Sequence, residues 1–546
     1  MSARDPWLLG LQPLWLAGLV PAVLRLEAAR RQPEAAQARL LRQRVRALAG
    51  SDYGRRYLGG VDSVASFQRK VPVVDHDALM PFIERIAAGE ARVLSTEPVT
   101  LFERSGGSTR TTTKLIPYTA GLLSDFAAAT NPWLFDLFRR HPTMLGRPAY
   151  WSLSPVAQGV RRTAGGIPIG MADDTAYFGP LRRFVIARSL AVPGRVAQLT
   201  ELAAWRTETL VHLVRARHLG FISVWSPTFL LVLMQHLARD PDAVLARLTS
   251  ERAREVAAAL REPGAGRAIW PGLAVISTWA DGPSAAFIAA LAAWFPGVAI
   301  EPKGLLATEG VVSIPFGAPD PQSGAGTPGA LIALTSHFLE WIDLARPDAR
   351  PRLSHELEVG GEYSPLLTTG GGLVRYHLKD VVRCEAPLRV RFLGKLDQVA
   401  DLAGEKVHAR QVERALEGAK RRLGIDWEFV LLAPVDGAEA VREGGEKLPP
   451  AYVLFIDTRA SDVEVSALAR AVEEHLFEGH AYRYCRELGQ LGPMRVQRVH
   501  EGRARWLEAL VARGQRLGEV KSTVLDGRMI WGPVFGQGKA TETAEE

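Results

Sequence analysis

The sequence predicts an α/β fold in which helices form layers on a sheet. Long helical patterns at residues 196–218, 227–261 and 284–295 alternate with short apolar runs at residues 273–276 and 298–300. Apolar residues at helical spacing, followed by apolar runs of strand length, are typical of layered α/β domains. The chain has 546 residues, of which 47% are hydrophobic and 23% are charged. That length is enough for roughly two to four globular domains.

The first predicted element is an N-terminal helix. Residues 7–24 are almost wholly apolar and precede an arginine-rich helical pattern at residues 27–49. Pro13 and Pro21 interrupt the apolar run, and Asp5 lies where a signal peptide would be positively charged. We therefore expect no signal peptide and no stable membrane insertion, and we interpret the segment as a buried amphipathic helix. Contact with a membrane surface is the alternative that stays open.

A domain boundary is predicted near the start of the last quarter of the chain. A β-rich stretch at residues 388–393 gives way to a polar, glycine-containing segment at residues 394–404, and a new helix follows from His408. We therefore predict a large domain at residues 1–393, a hinge at residues 394–404 and a small domain at residues 405–546.

Charge and cysteine content exclude several classes of protein. The chain carries 66 basic and 59 acidic residues, a net charge of +7, but the arginines are dispersed among acidic residues and form no single basic block. This pattern indicates a solvated surface and argues against a nucleic-acid partner. The two cysteines, Cys384 and Cys485, predict neither a disulfide framework nor a structural zinc site, so a reducing cytoplasm is expected.

The loop at residues 104–117 is the most informative stretch for function. Gly106 and Gly107 allow backbone NH groups to turn toward one anion, and Lys114 adds a positive charge. Hydroxyl donors come from Ser105, Ser108, Thr109 and Thr111. The combination predicts a polyphosphate-binding loop, with a Ser/Thr-rich surface turn as the alternative. The loop does not have the Gly-x-x-x-x-Gly-Lys-Ser/Thr spacing of a P-loop NTPase.

Three further motifs give this loop its context: residues 306–310, 372–382 and 404–406. In this order, the four motifs resemble those of the Gretchen-Hagen-three family of acyl acid amido synthetases, within the adenylate-forming superfamily. The resemblance covers most of the chain. It implies a large layered N-terminal domain of the adenylate-forming type and a smaller, mobile α+β C-terminal domain. The arginine-, alanine- and glycine-rich composition suggests a bacterial member.

The resemblance also implies an activity. The protein would use ATP and Mg²⁺ to convert a small carboxylic acid to an acyl-AMP and would pass the acyl group to an amine, in particular an amino acid. Two alternatives are an acyl-CoA ligase and a catalytically weak nucleotide-binding or interaction protein. A nucleic-acid-binding protein is the third and least favoured alternative.

Site residues carry over from the resemblance position by position. Glu309 would hold Mg²⁺, since carboxylates are the ligands that this ion prefers, although a carboxylate at a helix N-terminus is the plainer interpretation. Thr308 would contact the α-phosphate or the adenine side, and Asp380 would accept the ribose hydroxyls unless it is a turn residue. Lys406 would contact phosphate, and Lys539 would be the catalytic lysine. The remaining nucleotide contacts would be Ser105, Gly106, Gly107, Ser108, Thr109, Lys114 and Ala307.

Several positions depart from the family pattern. Thr111 replaces a usual glycine beside the bulky Arg110, and Lys395 replaces an arginine of the hinge sequence, where Asp397 is the expected pivot. His377 and Lys379, and the residues after Lys539, also depart from it.

Other patterns are decoys. The Gly-x-Gly-x-x-Gly match at residues 324–329 follows a loop instead of a strand, and no Gly-x-Ser-x-Gly is present. The run at residues 337–342 is interpreted as a core strand, with a part in the acyl pocket as the alternative. The histidines at positions 337, 355, 377 and 408 lack metal-ligand spacing.

Overall fold

The computed structural model describes residues 5–105, 114–152, 161–170, 188–199, 201–317, 329–396, 399–403, 405–435, 449–513, 515, 520–536 and 541–542. The chain forms two compact units, which divide between Leu393 and Gly394. Each unit combines helices with sheets, so the predicted α/β fold is confirmed. Hinge motion about residues 394–404 stays a prediction.

The α-helices of the first unit lie between residues 6 and 294 and alternate with strands from residue 101 onward. They are α1 (Pro6–Ala17), α2 (Val20–Arg31), α3 (Pro33–Leu48), α4 (Asp52–Tyr57), α5 (Val64–Lys70), α6 (His76–Ala87), α7 (Ala120–Arg140), α8 (Leu202–Arg215), α9 (Pro227–Arg239), α10 (Asp242–Leu245), α11 (Ser250–Ala259), α12 (Ala265–Ile269) and α13 (Ile288–Trp294). The predicted helical pattern at residues 227–261 divides into α9, α10 and α11, because Pro241 follows the end of α9 and cannot continue a helix.

A parallel sheet is built from strands that alternate with these helices along the chain. Its strands are β3 (Ala149–Trp151), β6 (Phe221–Ser223), β7 (Val275–Thr278) and β8 (Ala299–Pro302), in the order β3-β6-β7-β8. All three neighbouring pairs are parallel. The residues of β6 and β7 are buried throughout, as continuous apolar strands of a parallel sheet are expected to be. The apolar runs at residues 273–276 and 298–300 therefore correspond to β7 and β8.

Two further sheets and one hairpin complete the first unit. A four-stranded sheet has the order β2-β1-β5-β4, built from β1 (Leu101–Ser105), β2 (Lys114–Tyr118), β4 (Arg161–Arg162) and β5 (Pro168–Ile169). The hairpin pairs β9 (Leu306–Ala307) with β10 (Gly310–Val311). A larger sheet has the order β11-β12-β18-β17-β15-β13-β14, with β16 paired to β15. Its strands are β11 (Ser313–Ile314), β12 (Ala330–Ile332), β13 (Phe338–Asp343), β14 (Arg352–Leu353), β15 (Glu362–Thr368), β16 (Tyr376–His377), β17 (Asp380–Ala386) and β18 (Arg389–Lys395).

The second unit is a smaller α+β structure. Its sheet has the order β21-β22-β23-β24, and a separate hairpin pairs β19 with β20. The strands are β19 (Val399–Ala400), β20 (Val407–His408), β21 (Phe429–Val435), β22 (Ala451–Asp457), β23 (Arg495–Arg498) and β24 (Thr541–Glu542). The helices are α14 (Ala409–Leu423), α15 (Asp462–Phe477), α16 (His480–Glu487), α17 (Gly502–Ala512) and α18 (Trp531–Phe535). The helix predicted from His408 is α14, and His408 is its N-cap residue.

The N-terminal helices correct one sequence expectation. Pro6–Arg31 is long and apolar enough to cross a membrane by length and composition alone, yet only 22% of its most apolar window is buried in the protein. The interpretation of this segment as a buried helix is therefore wrong. Gln12 takes one of the few buried positions, because its side-chain oxygen accepts a hydrogen bond of 2.7 Å from the Gly146 backbone.

Candidate functional site

The ends of the predicted phosphate loop lie side by side. Strands β1 and β2 form an antiparallel hairpin in which Ser105 pairs with Lys114. Lys114 is half-buried at the start of β2. Gly106, Gly107, Ser108 and Thr109 lie outside the described residues, as do Arg110 and Thr111.

Thr308 and Glu309 form the two-residue turn between β9 and β10, whose pairing brings Ala307 opposite Gly310. Glu309 is buried and does not start a helix, so the interpretation as a helix N-terminal carboxylate is wrong. The Tyr118 hydroxyl of β2 donates a hydrogen bond of 2.7 Å to the Thr308 carbonyl oxygen. The strand that begins at Lys114 is therefore attached directly to the turn that carries Glu309.

His337 supports the same turn from the other side. The Val311 NH donates a hydrogen bond of 3.0 Å to Nε2 of His337, so Nε2 is the acceptor and the ring proton resides on Nδ1. This Nδ1 lies 3.2 Å from a carboxylate oxygen of Asp125. The Asp125 carboxylate also accepts a hydrogen bond of 2.7 Å from the Gly370 NH and forms an ion pair with Arg44. Sequence reasoning assigned His337 to the core, and the structure shows that it also fixes the hairpin.

His76 lies near both Lys114 and Glu309. It is the first residue of α6 and is buried, and both of these charged groups lie within electrostatic range of its ring. Burial lowers the pKa of His76, a hydrogen bond to the Leu115 backbone raises it, and Lys114 lowers it further. Its Nε2 has no hydrogen-bond partner among the described residues. His76 was not identifiable from the sequence, because nothing near position 76 signals a nucleotide site.

The motif at residues 372–382 lies beside the beginning of α6. Lys379 forms an ion pair of 2.8 Å with Asp75, the N-cap residue of that helix. Asp380 is buried as the first residue of β17, and its carbonyl oxygen accepts a hydrogen bond of 2.7 Å from the Ser364 hydroxyl. The start of α6 therefore lies next to three of the predicted motifs, those of Lys114, Glu309 and Asp380.

A buried ion pair attaches the motif at residues 372–382 to strand β13. Arg375 donates two hydrogen bonds to the Glu340 carboxylate, of 3.0 and 2.9 Å, and a further one of 2.6 Å to the Val71 carbonyl oxygen. Burial raises the pKa of Glu340, and the Arg375 charge opposes that shift. Removing one member of such a pair leaves an uncompensated buried charge, so the loss of either Arg375 or Glu340 would be strongly destabilising.

The second unit carries the two predicted lysines and is described by itself. Lys406 is exposed in the β19–β20 hairpin and has a φ of 48°. Beside it, the buried Glu405 accepts hydrogen bonds of 2.8 Å from the Leu402 and Ala403 backbones and one from the Tyr452 hydroxyl. Lys539 lies outside the described residues, as does Asp397.

The described residues are compatible with a magnesium ion that arrives with a nucleotide. Among them, no group of three or more His, Cys, Asp or Glu side chains is arranged to hold a metal. Mg²⁺ is commonly bound through one or two carboxylates together with substrate phosphates, and it keeps several waters. Glu309 fits that pattern, because its carboxylate is buried and accepts no hydrogen bond from the described part of the chain.

Aromatic side chains gather at the carboxyl ends of the parallel strands, where open α/β sheets usually bind ligands. Trp225 and Trp279, which follow β6 and β7, have ring centroids 5.7 Å apart. Lys303, which follows β8, is buried, and its ammonium group lies 5.2 Å from the Trp225 ring centroid and 2.7 Å from the Ser223 hydroxyl. In contrast, Phe338, Leu339 and Trp341 of β13 are core residues.

Comparison with known proteins agrees with this architecture. The N-terminal, central and C-terminal domains of the GH3 family match residues 22–262, 330–394 and 410–525. The chain is 24% identical to indole-3-acetic acid-amido synthetase GH3.8 of Oryza sativa, over 89% of this chain and 87% of the relative. It is 30% identical to the human GH3 domain-containing protein, over 48% and 50% of the two chains. The structure of the GH3.15 acyl acid amido synthetase superposes with a TM-score of 0.77 at 17% identity, covering 94% of this chain and 95% of that one. The chain belongs to the GH3 family, whose three domains it carries in order.

Proposed function

We propose that this protein is an ATP-dependent ligase that joins a small carboxylic acid to an amine, in particular an amino acid, through an acyl-AMP. Relatives named as indole-3-acetic acid-amido synthetases extend over 85% and 89% of the chain, which supports this activity. The observation that carries the proposal is the hydrogen bond from Tyr118 to the Thr308 carbonyl oxygen, because it joins the strand of Lys114 to the turn of Glu309.

Two reactions follow in sequence. In the first, a carboxylate oxygen of the acid attacks the α-phosphorus of ATP, a new P–O bond forms, and the bond to the bridging oxygen of pyrophosphate breaks. In the second, the amine nitrogen attacks the acyl carbon, a C–N bond forms, AMP leaves with the electrons of the C–O bond, and the nitrogen loses a proton. Negative charge on the phosphate oxygens has to be stabilised during the first reaction, so fixed positive groups matter most there.

The residues of the first unit have distinct roles in this proposal. Lys114 and the loop of Ser105, Gly106, Gly107, Ser108 and Thr109 bind the phosphates. Glu309, in the Ala307–Gly310 hairpin, holds Mg²⁺, which would neutralise phosphate charge when bound. Thr308, next to Glu309, contacts the nucleotide at the α-phosphate or the adenine side. Asp380 accepts the ribose hydroxyls.

The second unit supplies positive charge in the same proposal. Lys406 contacts phosphate, and Lys539 acts as the catalytic lysine. A hinge at residues 394–404 lets these lysines take part in adenylation and then withdraw before acyl transfer. The family match is also the basis for proposing membership of the adenylate-forming superfamily.

The cellular setting follows from composition. Cys384 and Cys485 are free thiols, which suits a reducing cytoplasm. The arginine-, alanine- and glycine-rich sequence suggests a bacterial member of the family.

The acid pocket is assigned to the carboxyl ends of the parallel strands. The Trp225 and Trp279 rings offer an apolar surface, and Lys303 offers one buried positive charge beside them. This combination favours planar or aromatic acids over small aliphatic ones.

Pyrophosphate exchange into ATP tests the first reaction. Purified protein with Mg²⁺ and a panel of aryl and aliphatic acids should show acid-dependent exchange, and Glu309→Gln should lose it. Glu251→Gln is the matched control, since Glu251 is exposed on α11. Product analysis with amino acids and with coenzyme A then separates amide synthesis from thioester formation. Absence of exchange across wide panels, with ATP binding intact in calorimetry, would favour the catalytically weak alternative.

A further inference from the structure

The N-terminal helices α1 and α2 present a continuous apolar surface to solvent. Exposed residues recur every three or four positions along them, as expected for one side of a helix. We call this surface the apolar face and define it as Trp7, Gly10, Leu14, Ala17, Pro21 and Leu24. Trp7, Leu14 and Leu24 are 68%, 73% and 64% exposed. An exposed surface with three such large side chains in one row is uncommon on a soluble monomer and marks an interaction site.

The opposite side of the same helices is attached to the protein. Leu8, Leu19 and Leu26 are buried, and Gln12 is hydrogen-bonded to the Gly146 backbone. The Trp15 ring packs edge-on against Phe138 of α7, with 5.7 Å between the ring centroids. A membrane-spanning orientation would break these contacts and strand Gln12 in hydrocarbon, whereas docking flat on a surface preserves all of them.

The charge near the apolar face is positive. The exposed row continues into Arg25 and Arg31, and it contains no acidic residue. The first 50 residues contain eight arginines and three acidic residues, whereas basic and acidic residues are nearly balanced in the whole chain, at 66 and 59. A helix with tryptophan and leucine on one exposed face and arginine at its end is typical of segments that lie in the interface of anionic membranes.

We propose that the apolar face docks on an anionic lipid surface, with α1 and α2 parallel to the membrane plane. Trp7, Leu14 and Leu24 enter the boundary between headgroups and acyl chains. Arg25 and Arg31 contact the anionic headgroups. This surface is separate from the residues proposed for ligase activity, so it adds a location to the protein and leaves its chemistry unchanged.

Sedimentation of the full-length protein with vesicles tests this inference. We expect binding to vesicles of phosphatidylcholine with added phosphatidylglycerol, weaker binding to phosphatidylcholine alone, and a decrease in binding in about 0.5 M salt. The double variant Trp7→Ser/Leu14→Ser should bind about tenfold more weakly or worse, since each side chain loses apolar contact with lipid. Arg25→Glu/Arg31→Glu should lose the preference for anionic vesicles.

Val463→Ser is the matched control, because Val463 is 77% exposed on α15 and lies outside the apolar face. This variant should bind vesicles like the wild type. The inference is overturned if the wild type binds neither kind of vesicle, or if Trp7→Ser/Leu14→Ser and Val463→Ser bind equally well. It is also overturned if the wild type forms a dimer that the Trp7 and Leu14 changes abolish, since a second copy would then cover the face. Circular dichroism checks that every variant is folded.

Discussion

Replacing Gly310 with alanine should displace the turn that carries Glu309. A Cβ atom at this position would lie 2.6 Å from Nε2 of His337 and 2.8 Å from Cδ2 of Leu367. Both neighbours are completely buried, so neither can withdraw into solvent. Ordinary contacts between heavy atoms begin near about 3.5 Å, so the hairpin would have to move by about 1 Å.

The magnitude follows from that displacement. A shift of about 1 Å in a positioning group typically costs about 100-fold in rate, or about 3 kcal/mol of transition-state stabilisation. Overpacking at a buried site also costs about 1–3 kcal/mol of folding stability. We therefore expect Gly310→Ala to stay folded in a protein of this size, with a lower melting temperature and a much lower rate of acyl-AMP formation.

The assay is acid-dependent pyrophosphate exchange at saturating ATP, with thermal unfolding measured on the same preparations. Gly418→Ala is the matched control, because a Cβ there meets no atom within 4 Å and the residue lies inside α14. That change should leave the rate unaltered and stabilise the helix by about 0.5–1 kcal/mol. A Gly310→Ala protein with at least half of the wild-type rate would refute the argument that this turn must be held in place.

Three further predictions concern single side chains. Tyr118→Phe removes the hydroxyl that donates a hydrogen bond to the Thr308 carbonyl oxygen, so pyrophosphate exchange should slow and the free energy of unfolding should fall by about 1 kcal/mol. An unchanged exchange rate would contradict the proposed attachment. The pKa of His76 lies below the ordinary histidine value of 6.5, so the contribution of its neutral ring to stability is present above pH 6.5 and is lost as pH falls through the pKa of the folded state. Lowering the pH from 8 to 5 should therefore reduce the melting temperature of the wild type more than that of His76→Gln. Burial, with the neighbouring Glu417 charge, raises the pKa of Glu413 to about 7, so this carboxyl costs stability as pH rises from 4.5 through 7. In urea unfolding, Glu413→Gln should therefore gain about 1–3 kcal/mol at pH 8 and nothing near pH 4, and Glu508→Gln, at an exposed position of α17, is the matched control.

The sequence predicted where helices and strands occur better than it predicted their ends. The pattern at residues 196–218 is an α-helix only over Leu202–Arg215, and the pattern at residues 284–295 only over Ile288–Trp294. The runs that became β7 and β8 are uniformly apolar, and Pro241 marked the break within the 227–261 pattern. The phosphate loop was predicted because its small and hydroxylated residues follow one another in the chain, whereas Thr308 and Glu309 were predicted from the resemblance to a known family. Local chemistry of this kind is visible without a structure.

Contacts between distant residues were not predictable in the same way. His337 meets Asp125 and Val311 only because α7 and the hairpin both pack beside the beginning of β13. His76 lies within electrostatic range of Lys114 and Glu309 because α6 packs on β2. None of these pairs has a spacing that would show in one sequence, since tertiary packing alone brings them together.

The prediction that the N-terminal segment is buried was wrong for a different reason. Apolar composition was taken to mean burial, but composition does not say which face of a helix packs on the protein. The Gly146 NH needs an acceptor, Gln12 supplies it, and the side of the helix with Gln12 therefore faces inward. Trp7 and Leu14 lie on the opposite side and are left exposed.

The support of the Glu309 turn works through backbone groups. Tyr118 bonds to the Thr308 carbonyl, and His337 accepts the Val311 NH. Among the described residues, the Thr308 hydroxyl and the Glu309 carboxylate make no hydrogen bond of their own. A turn held in this way is rigid while its two side chains stay available, which is what binding a metal ion and a phosphate requires. Changes at Tyr118, His337 or Gly310 should therefore lower the rate while the reacting groups stay chemically intact, and this separates positioning residues from those that touch the nucleotide.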